Sequence, residues 1–501
     1  MRRVSDAAFI SSSGLRSSGL LDVFRPDGNL SFRYHKGESK VAKLDRRSFL
    51  RQSALAGGAA FAFGGMVNRL DLFAAGGRRA LAALDTVGFG PLSPKPTENT
   101  GEVLLGLPDG FKYKVFGRAG SIMSDGRPTP TNHDGMAAFD VGGQLRLVRN
   151  HEIAQGTARG VKPYDTAAGG GTTTLIVNPQ TRELESDFLS LSGSIRNCAG
   201  GPTPWGSWIT GEETIIGRLS TPPTNFPHGY TFDVSASADA EVDAVPIKGM
   251  GRFSHEAVAV DPLTNHIYET EDQGNTSGFY RYVPNETNAS GLSPNFMAGG
   301  TLQILAVKGR PQYDTRTGQT VGLELEAEWV EIRNPDPYLE NGARSVFSQG
   351  FDRGGAARFA RLEGCWYGNG HVFFDSTTGG NVGQGQIWRY TPVSEAGGVL
   401  SLIFESPGVE VLNAPDNICV TPNGGLLICE DGSGVEFVHG LTPAGAIFKF
   451  IENVVPGRTG DEFAGSTFSP DLQTLFVNIQ GANLTFAVWP DEGRSWADGG
   501  I

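Results

Sequence analysis

One two-strand pattern recurs six times along this chain, and it restricts the fold more than any other sequence feature. Each unit starts at a polar or acidic residue, runs through a short apolar strand to a turn, and returns through a second apolar strand to polar or acidic residues. The units cover residues 134–152, 197–213, 255–272, 361–375, 416–431 and 463–480. Turns such as Pro422-Asn423-Gly424-Gly425 favour hairpins, because Gly and Asn accept the positive φ that tight turns need.

Six units of this kind predict an all-β fold, a six-bladed β-propeller with loops inserted between the blades. The composition agrees, because 70 glycines among 501 residues and 10% aromatic residues are typical of a turn-rich β protein. A two-domain β-sandwich is the alternative fold. In a propeller the first strand of every unit lines a central channel, so the acidic ends of the units would converge on one axis.

The N-terminal region carries an export pattern. Arg46-Arg47 is followed by a short apolar stretch, residues 53–66, which is too short and too rich in glycine to span a membrane. We interpret residues 1–85 as a leader with a twin-arginine signal, disordered or removed, and residues 86–501 as the propeller domain. The twin-arginine machinery of bacteria would then deliver a folded protein to the periplasm or the medium, without stable membrane insertion. A surface Arg-Arg pair beside a buried helix is the alternative.

The charge distribution restricts the partners. The formal net charge is -13, but residues 1–51 contain 11 Lys or Arg and 5 Asp or Glu, so they carry +6 and the remainder carries -19. An acidic body excludes nucleic acid as a partner, because phosphate backbones require a basic surface. A small anionic substrate would need bound cations or a local arginine to overcome the same field. We expect a monomer.

The acidic ends of the units predict a metal site. Carboxylates a few ångströms apart cannot all stay ionised in a channel unless cations neutralise them. Oxygen ligands in such number suit Ca²⁺, and a thiolate among them suits a transition metal. The alternative for each acid is a solvated residue at a strand end. The candidates are Asp134, Glu152, Cys198, Glu213, Glu256, Glu271, Asp272, Glu363, Asp416, Glu430 and Asp431.

The cysteines divide into two kinds. Cys198 follows the polar Asn197 and precedes Ala-Gly-Gly, a context that favours a ligand over a buried hydrophobic side chain. Cys419 and Cys429 flank a turn, so a cross-strand disulfide is conceivable, although both also fit a buried strand as plain hydrophobic residues. His255 lies beside Glu256 and is the best histidine candidate for orienting a ligand.

Several separated motifs resemble the PhoX-type alkaline phosphatases. They are the run from Arg196-Asn197-Cys198 to Glu212-Glu213, Ser254-His255-Glu256-Ala257, Arg361-Leu362-Glu363-Gly364, and Asp416-Asn417 with Glu430-Asp431 after it. The resemblance spans most of the chain in order and includes the twin-arginine leader. It implies a six-bladed propeller that hydrolyses phosphate monoesters with two iron ions and several calcium ions, bridged by an oxo group.

The resemblance also implies roles for individual residues. Cys198 would bind Fe³⁺, and Arg361 would contact the phosphate, with a surface salt bridge to Glu363 as the alternative. We cannot choose from the sequence within the pairs Glu271–Asp272 and Glu430–Asp431. The remaining implied ligands of the iron and calcium ions are Glu152, Glu213, Glu256, Glu363 and Asp416. The sixth unit departs from the pattern, since Ala464-Gly465-Ser466 provides no acid, and we expect only packing or backbone carbonyls from it.

The leading functional prediction is therefore an exported phosphatase with Fe³⁺ and Ca²⁺ and a small phosphorylated substrate. Two alternatives stay open. One is a non-catalytic exported propeller in which Ca²⁺ only staples the blades and one face binds a protein or a polysaccharide. The other is a related hydrolase that acts on a phosphodiester or a lactone.

Overall fold

The computed structural model describes residues 87–286 and 293–501. The predicted leader, residues 1–85, lies outside the described residues. Between residues 87 and 501, apart from the gap, no helix combines the length and the apolar character that a bilayer crossing requires.

Strands dominate the fold. The first thirteen strands are β1 (Ser93–Pro96), β2 (Val103–Leu107), β3 (Phe111–Phe116), β4 (His133–Val141), β5 (Gln144–His151), β6 (Gly170–Val177), β7 (Leu184–Ser194), β8 (Asn197–Pro202), β9 (Ser207–Glu212), β10 (Thr231–Ser235), β11 (His255–Val260), β12 (Ile267–Glu271) and β13 (Phe279–Pro284). The next are β14 (Gly300–Val307), β15 (Glu324–Glu331), β16 (Leu362–Gly368), β17 (His371–Ser376), β18 (Gln386–Ser394), β19 (Gly397–Glu405), β20 (Pro415–Val420), β21 (Leu426–Glu430), β22 (Phe437–Leu441), β23 (Ile447–Asn453), β24 (Phe463–Phe468), β25 (Leu475–Ile479) and β26 (Leu484–Pro490). The α-helix of the described part, α1 (Val346–Gly354), lies in the insertion between β15 and β16.

The strands form antiparallel up-and-down sheets. Two sheets consist of β4–β7 and β8–β10. A nine-stranded sheet contains the meanders β11–β14 and β16–β19, joined through β15. In the remaining two sheets, early strands complete late ones: β2 and β1 extend β20–β23, and β3 pairs with β26 to extend β24–β26.

The first strands of these meanders contact one another in a closed ring. The order is β4, β8, β11, β16, β20, β24 and then β4 again. The prediction of an all-β, propeller-like fold is therefore confirmed.

Apolar side chains fill the space between neighbouring sheets. Trp208 of β9, 1% exposed, packs with Val148 of β5, and its indole N–H donates to the amide oxygen of Asn150 at 2.8 Å. The apolar layers hold neighbouring sheets together. This packing fixes the positions of the strand ends that face the ring.

Candidate metal centre

The same β-bulge occurs at the start of the first strand in each of six strand pairs of the described chain. In β11 and β12, His255 pairs with Glu271 and Val258 with Glu269, so three residue steps on one strand match two on the other. The same irregularity follows His133, Asn197, Leu362, Pro415 and Ala464. A bulge re-aims the side chain next to it. Here it recurs at each predicted first-strand ligand.

The bulges define three sets of equivalent positions, one residue per unit. The inner positions are Asp134, Cys198, Glu256, Glu363, Asp416 and Ala464. The mouth positions, two residues earlier and all partly exposed, are Asn132, Arg196, Ser254, Arg361, Ala414 and Glu462. The return positions, which follow the end of the second strand, are Glu152, Glu213, Asp272, Thr377, Asp431 and Gln480. In every unit the return-position N–H donates to the mouth-position carbonyl at 2.9 to 3.2 Å.

These positions bring together three overlapping groups of side chains with metal-ligand chemistry. In each group the ligand atoms all lie within 4.8 Å of one another. The groups are Cys198 with Glu213 and Glu256, then Glu256 with Glu363 and Asp416, then Asp416 with Asp431 and Glu462. Glu256 and Asp416 each belong to two groups, so the three groups form one continuous row.

The side chains of this row fit bound cations. Both carboxylate oxygens of Glu256 are buried and have no hydrogen-bond partner in the described structure, an arrangement that is costly without a counter-charge. Burial, and then the neighbouring acids, raise the pKa of Glu256, Glu363 and Asp416 well above the ordinary carboxyl range. The first group combines a thiol with carboxylates, whereas the other two offer oxygen atoms alone.

Burial also raises the pKa of Cys198 well above the ordinary thiol value, and the charges of Asp134 and Glu256 add to the effect. A thiol in this setting is a poor ligand until a cation replaces its proton. A metal ion would therefore decide the protonation of the whole row.

Two arginines bond to the acids from the mouth positions. Arg196 donates from Nε to Glu152 at 2.8 Å and from Nη2 to Glu213 at 2.5 Å. Arg361 donates from Nε to Asp272 at 3.3 Å and from Nη2 to Glu363 at 2.6 Å. Their side chains are 44% and 32% exposed, whereas Glu213 and Glu363 are buried. The guanidinium groups thus lie between the acids and solvent.

The two arginines are linked through a carboxyl pair. The neighbouring Asp272 acts to raise the pKa of the Glu213 carboxyl group, so Arg196, Glu213, Asp272 and Arg361 form one chain of interacting charges. Burial raises the pKa of Glu213 to about 9 despite the opposing charge of Arg196. Burial opposes the charge of Arg361, but Glu363 and Asp272 outweigh it and raise the pKa of that guanidinium.

The structure distinguishes the members of the two acidic pairs. Successive residues of a strand point to opposite faces, so only one of each pair faces the row. Asp272 and Asp431 hold the return positions. Glu271 instead accepts from the Tyr280 hydroxyl at 2.6 Å and the Gly278 N–H at 3.1 Å.

Glu430 is turned away from the row in the same manner as Glu271. It lies 2.8 Å from His439 Nε2 and accepts from the N–H of Asn413 at 2.7 Å. Both of these glutamates therefore hold strand ends in place behind the acids that face the row.

Asp134 and Glu152 lie beside the row and are joined by one amide. The side chain of Gln480 donates to Asp134 Oδ2 at 2.8 Å and to Glu152 Oε2 at 3.0 Å. Glu152 lies outside the three groups and contacts Arg196 instead. The Gln480 amide therefore bridges these two carboxylates, as a cation would bridge the acids of the row.

The expectation for the sixth unit was wrong. Ala464 occupies its inner position, as the sequence indicates, but Glu462 at the mouth position belongs to the third group. Glu462 lies one residue before β24 and two residues before Ala464, so an analysis of strand starts alone overlooks it. In the fourth unit the return position is Thr377, and Asp375 lies two residues earlier, within β17.

Other candidates lie away from the row. Cys419 and Cys429 are free thiols, because the register places Cys419 opposite Leu427. His255 is the residue before Glu256 on β11; its Nδ1 lies 3.1 Å from Glu269, and its ring centroid lies 3.7 Å from that of Phe253. Through these contacts His255 can orient the start of β11, the strand that carries Glu256.

Sequence reasoning missed three residues of this centre: Arg196, Glu462 and Gln480. A signal for two of them was available. Arg196 precedes Cys198 by two residues, as Arg361 precedes Glu363, and Glu462 has the same offset from Ala464.

Comparisons with known proteins complete this picture. No curated protein matches the chain. Among solved structures it is similar to a gluconolactonase from Xanthomonas campestris, with 12% identity, a TM-score of 0.41, and coverage of 80% of this chain and 97% of that chain. It is also similar to virginiamycin B lyase from Staphylococcus aureus (12% identity, TM-score 0.36, 76% and 99% covered) and to the PQQ-bound aldose sugar dehydrogenase from Streptomyces coelicolor (12%, 0.31, 69% and 99%).

A family description matches at the sequence level. The pattern of the alkaline phosphatase PhoX family fits residues 87–187 and 171–483, which together cover most of the chain and all three groups of the row. The chain therefore belongs to the alkaline phosphatase PhoX family.

Proposed function

We propose that this protein is an exported phosphatase that hydrolyses phosphate monoesters at an iron–calcium cluster on the axis of a six-bladed propeller. Membership of the PhoX family supports the reaction class. The observation that carries the proposal is the row of three overlapping ligand groups, in which one group alone contains a thiol. A site for structural calcium needs only oxygen ligands, so Cys198 favours a second kind of metal.

The repeated geometry supports six blades. The same bulge, and the same hydrogen bond from the return position to the mouth position, occur in six units of the described chain. The closed ring of first strands gives the order of these units around the axis. In this arrangement the nine-stranded sheet contains two blades that share β15.

The metals would divide along the row. Cys198, Glu213 and Glu256 would hold iron, and the two oxygen-only groups would hold calcium. Bound cations would supply Lewis-acid polarisation of the phosphoryl oxygens. They would also neutralise acids that otherwise repel a phosphate dianion.

The arginines at the mouth would bind the substrate. A guanidinium group offers parallel N–H donors that match phosphoryl oxygens, and Arg361 and Arg196 present such groups at the partly exposed rim. Donors at this place would stabilise the charge that builds up on the phosphoryl group in the transition state. We assign Arg361 the catalytic contact and Arg196 a second contact to the same group.

The proposed export rests on Arg46-Arg47, which lies outside the described residues. A folded protein can carry its cofactors through the twin-arginine route, and this suits a centre built from residues of every unit.

Elemental analysis of protein exported from its native host tests the proposal. We expect both iron and calcium, together with hydrolysis of p-nitrophenyl phosphate that a calcium chelator abolishes. Calcium without iron and without hydrolysis would favour the non-catalytic propeller. Hydrolysis that continues unchanged after removal of every metal would contradict the metal-dependent reaction.

A cysteine pair provides a matched comparison. Cys198→Ser replaces the thiol of the first group, whereas Cys365→Ser makes the same change at a buried cysteine in an apolar cluster. We expect Cys198→Ser to lose iron and turnover while calcium remains, and Cys365→Ser to keep iron. Equal iron content in the two variants would remove Cys198 from the metal site.

A further inference from the structure

A pocket of about 370 Å³ borders the centre on the side of its second and third units. This volume is typical of small-molecule sites, which enclose about 300–1,000 Å³. Neither the metal row nor the phosphoryl contact uses it. Its walls come from the rim of the centre and from the insertion that carries α1.

The pocket adjoins the mouth positions, where the proposed phosphate site lies. Ile215 lies two residues after Glu213, Ser254 occupies the third mouth position, and Gln273 follows Asp272; all three line the pocket. Ser254 also forms a β-bridge with Glu213.

The loop after Asp272 contacts both Arg361 and the pocket. The Gly274 carbonyl accepts the N–H of Arg361 at 3.0 Å, while Gln273 and Thr276 of the same loop line the pocket. A phosphoryl group held between Arg196 and Arg361 would therefore lie next to the pocket.

The lining suits a flat ring. Phe347 and Phe351 of α1 stack on each other with ring centroids 5.2 Å apart, and both line the pocket. Ile215, whose exposed fraction is 41%, adds a partly exposed apolar surface. Hydroxyl and amide groups of Ser254, Gln273 and Thr276 surround these apolar walls and can hydrogen-bond to the edges of a ring.

The charges of the pocket disfavour a second anion. Its two arginines are already paired: Arg252 with Glu340 at 2.9 Å and Arg358 with Asp314 at 2.6 Å. A further lining residue, Asp352, is acidic. The pocket therefore offers no free cation to a second phosphate.

We infer that this pocket is the alcohol-binding subsite of the proposed phosphatase. It selects phosphate monoesters whose alcohol carries a flat, uncharged ring system over esters of small polyols and over polyphosphates. The inference rests on the proposed function and adds the substrate class to it.

The test compares two alkyl phosphates with similar leaving groups, adenosine 5′-monophosphate and glycerol 3-phosphate. We expect kcat/KM to favour adenosine 5′-monophosphate by about tenfold or more, the discrimination that apolar pockets reach. Phe351→Ala should lower kcat/KM for the adenosine ester about tenfold and leave that for glycerol 3-phosphate unchanged. Phe226→Ala, at a ring that is 43% exposed and lies outside the pocket, should change neither.

A second variant guards against a folding defect. Ile215→Trp adds bulk at a partly exposed position, so the fold keeps its contacts while the pocket shrinks. It should also lower kcat/KM for the adenosine ester alone. Equal kcat/KM for both esters in the wild type, or an equal loss for both in the variants, would overturn the subsite and leave the phosphatase in place. No hydrolysis of either ester would overturn both.

Discussion

Two arginines of the centre have a backbone conformation with positive φ, which residues other than glycine rarely adopt. Arg196 has a φ of 50° and Arg361 a φ of 45°. Non-glycine residues with positive φ cost free energy and are concentrated at functional sites. In both arginines the backbone carbonyl accepts the return-position N–H, while the guanidinium group hydrogen-bonds to Glu213 or Glu363.

The first residue-scale prediction concerns Arg361. We expect Arg361→Ala to keep the fold and the metals but to lower kcat by about 10² to 10³, the usual effect of removing one donor to the transition state. Arg118→Ala is the control, because Arg118 forms an exposed ion pair with Glu102. Wild-type turnover of p-nitrophenyl phosphate in Arg361→Ala would contradict the role.

The second concerns Glu462, the acid that strand patterns overlook. Glu462→Gln keeps the shape of the side chain and removes its charge, so the third ligand group should lose its calcium ion. Calorimetric titration with Ca²⁺ should show one site fewer than in the wild type, and Glu492→Gln, at an exposed glutamate, should retain them all. An unchanged number of sites in Glu462→Gln would place calcium elsewhere.

At the scale of elements, buried glutamates at the ends of the second strands fix those ends through hydrogen bonds. Behind the acids that face the row, the preceding residues Glu212, Glu271 and Glu430 each hydrogen-bond to the following strand or loop. Glu212 bonds to His228 at 2.6 Å and Glu271 to Tyr280 at 2.6 Å, while Glu430 accepts the N–H of Phe437 at 3.2 Å. These bonds fix the strand ends from which Glu213, Asp272 and Asp431 project.

Tyr280 tests this anchoring. Tyr280→Phe removes the hydroxyl and leaves a buried Glu271 oxygen short of a donor, which costs about 1–3 kcal/mol. The free energy of unfolding in urea should fall by that amount. Tyr282→Phe on the same strand is the control, since the Tyr282 hydroxyl is buried without a hydrogen-bond partner in the described structure. Equal effects of the two substitutions would argue against anchoring.

Much of this organisation could be predicted from the sequence. The alternation of apolar strands and turns predicts the hairpins, and their repetition brings Cys198, Glu256, Glu363 and Asp416 to equivalent places. The choice between Glu271 and Asp272 could not be made, because it depends on where the strand ends and on the bond from Tyr280. Glu462 was overlooked because it lies outside the strand whose pattern predicts the unit, although its offset from Ala464 equals that of Arg361 from Glu363.

At the scale of the whole molecule, the centre gathers more acids than the fold alone can keep ionised. Burial raises the pKa of Glu213 to about 9 from an ordinary value of 4.5, and that of Glu271 to about 8. The folded metal-free protein therefore retains protons that the unfolded chain has released. These two acids therefore cost no stability below about pH 4.5, and they destabilise the metal-free fold increasingly as the pH rises toward 9.

This predicts a pH profile for the metal-free protein. Its Tm, measured by calorimetry in a chelator, should fall between pH 5 and pH 9. Added Ca²⁺ should raise the Tm most at the alkaline end and should release protons on binding. A Tm of the metal-free protein that rises over this range would contradict the burial of protonated acids.

The pairing of β3 with β26 sets when the fold can be completed during synthesis of the chain. β3 precedes every unit of the ring and β26 follows them all, so the last sheet of the ring cannot be completed until residue 490 has left the ribosome. Asp134 comes near Asp416 only in the closed ring, whereas Glu462 meets Asp416 across the neighbouring strands β20 and β24. A nascent or truncated chain would display scattered acids with little hold on a cation. Under the proposed function, the full set of metal ligands would therefore exist only in the completed ring.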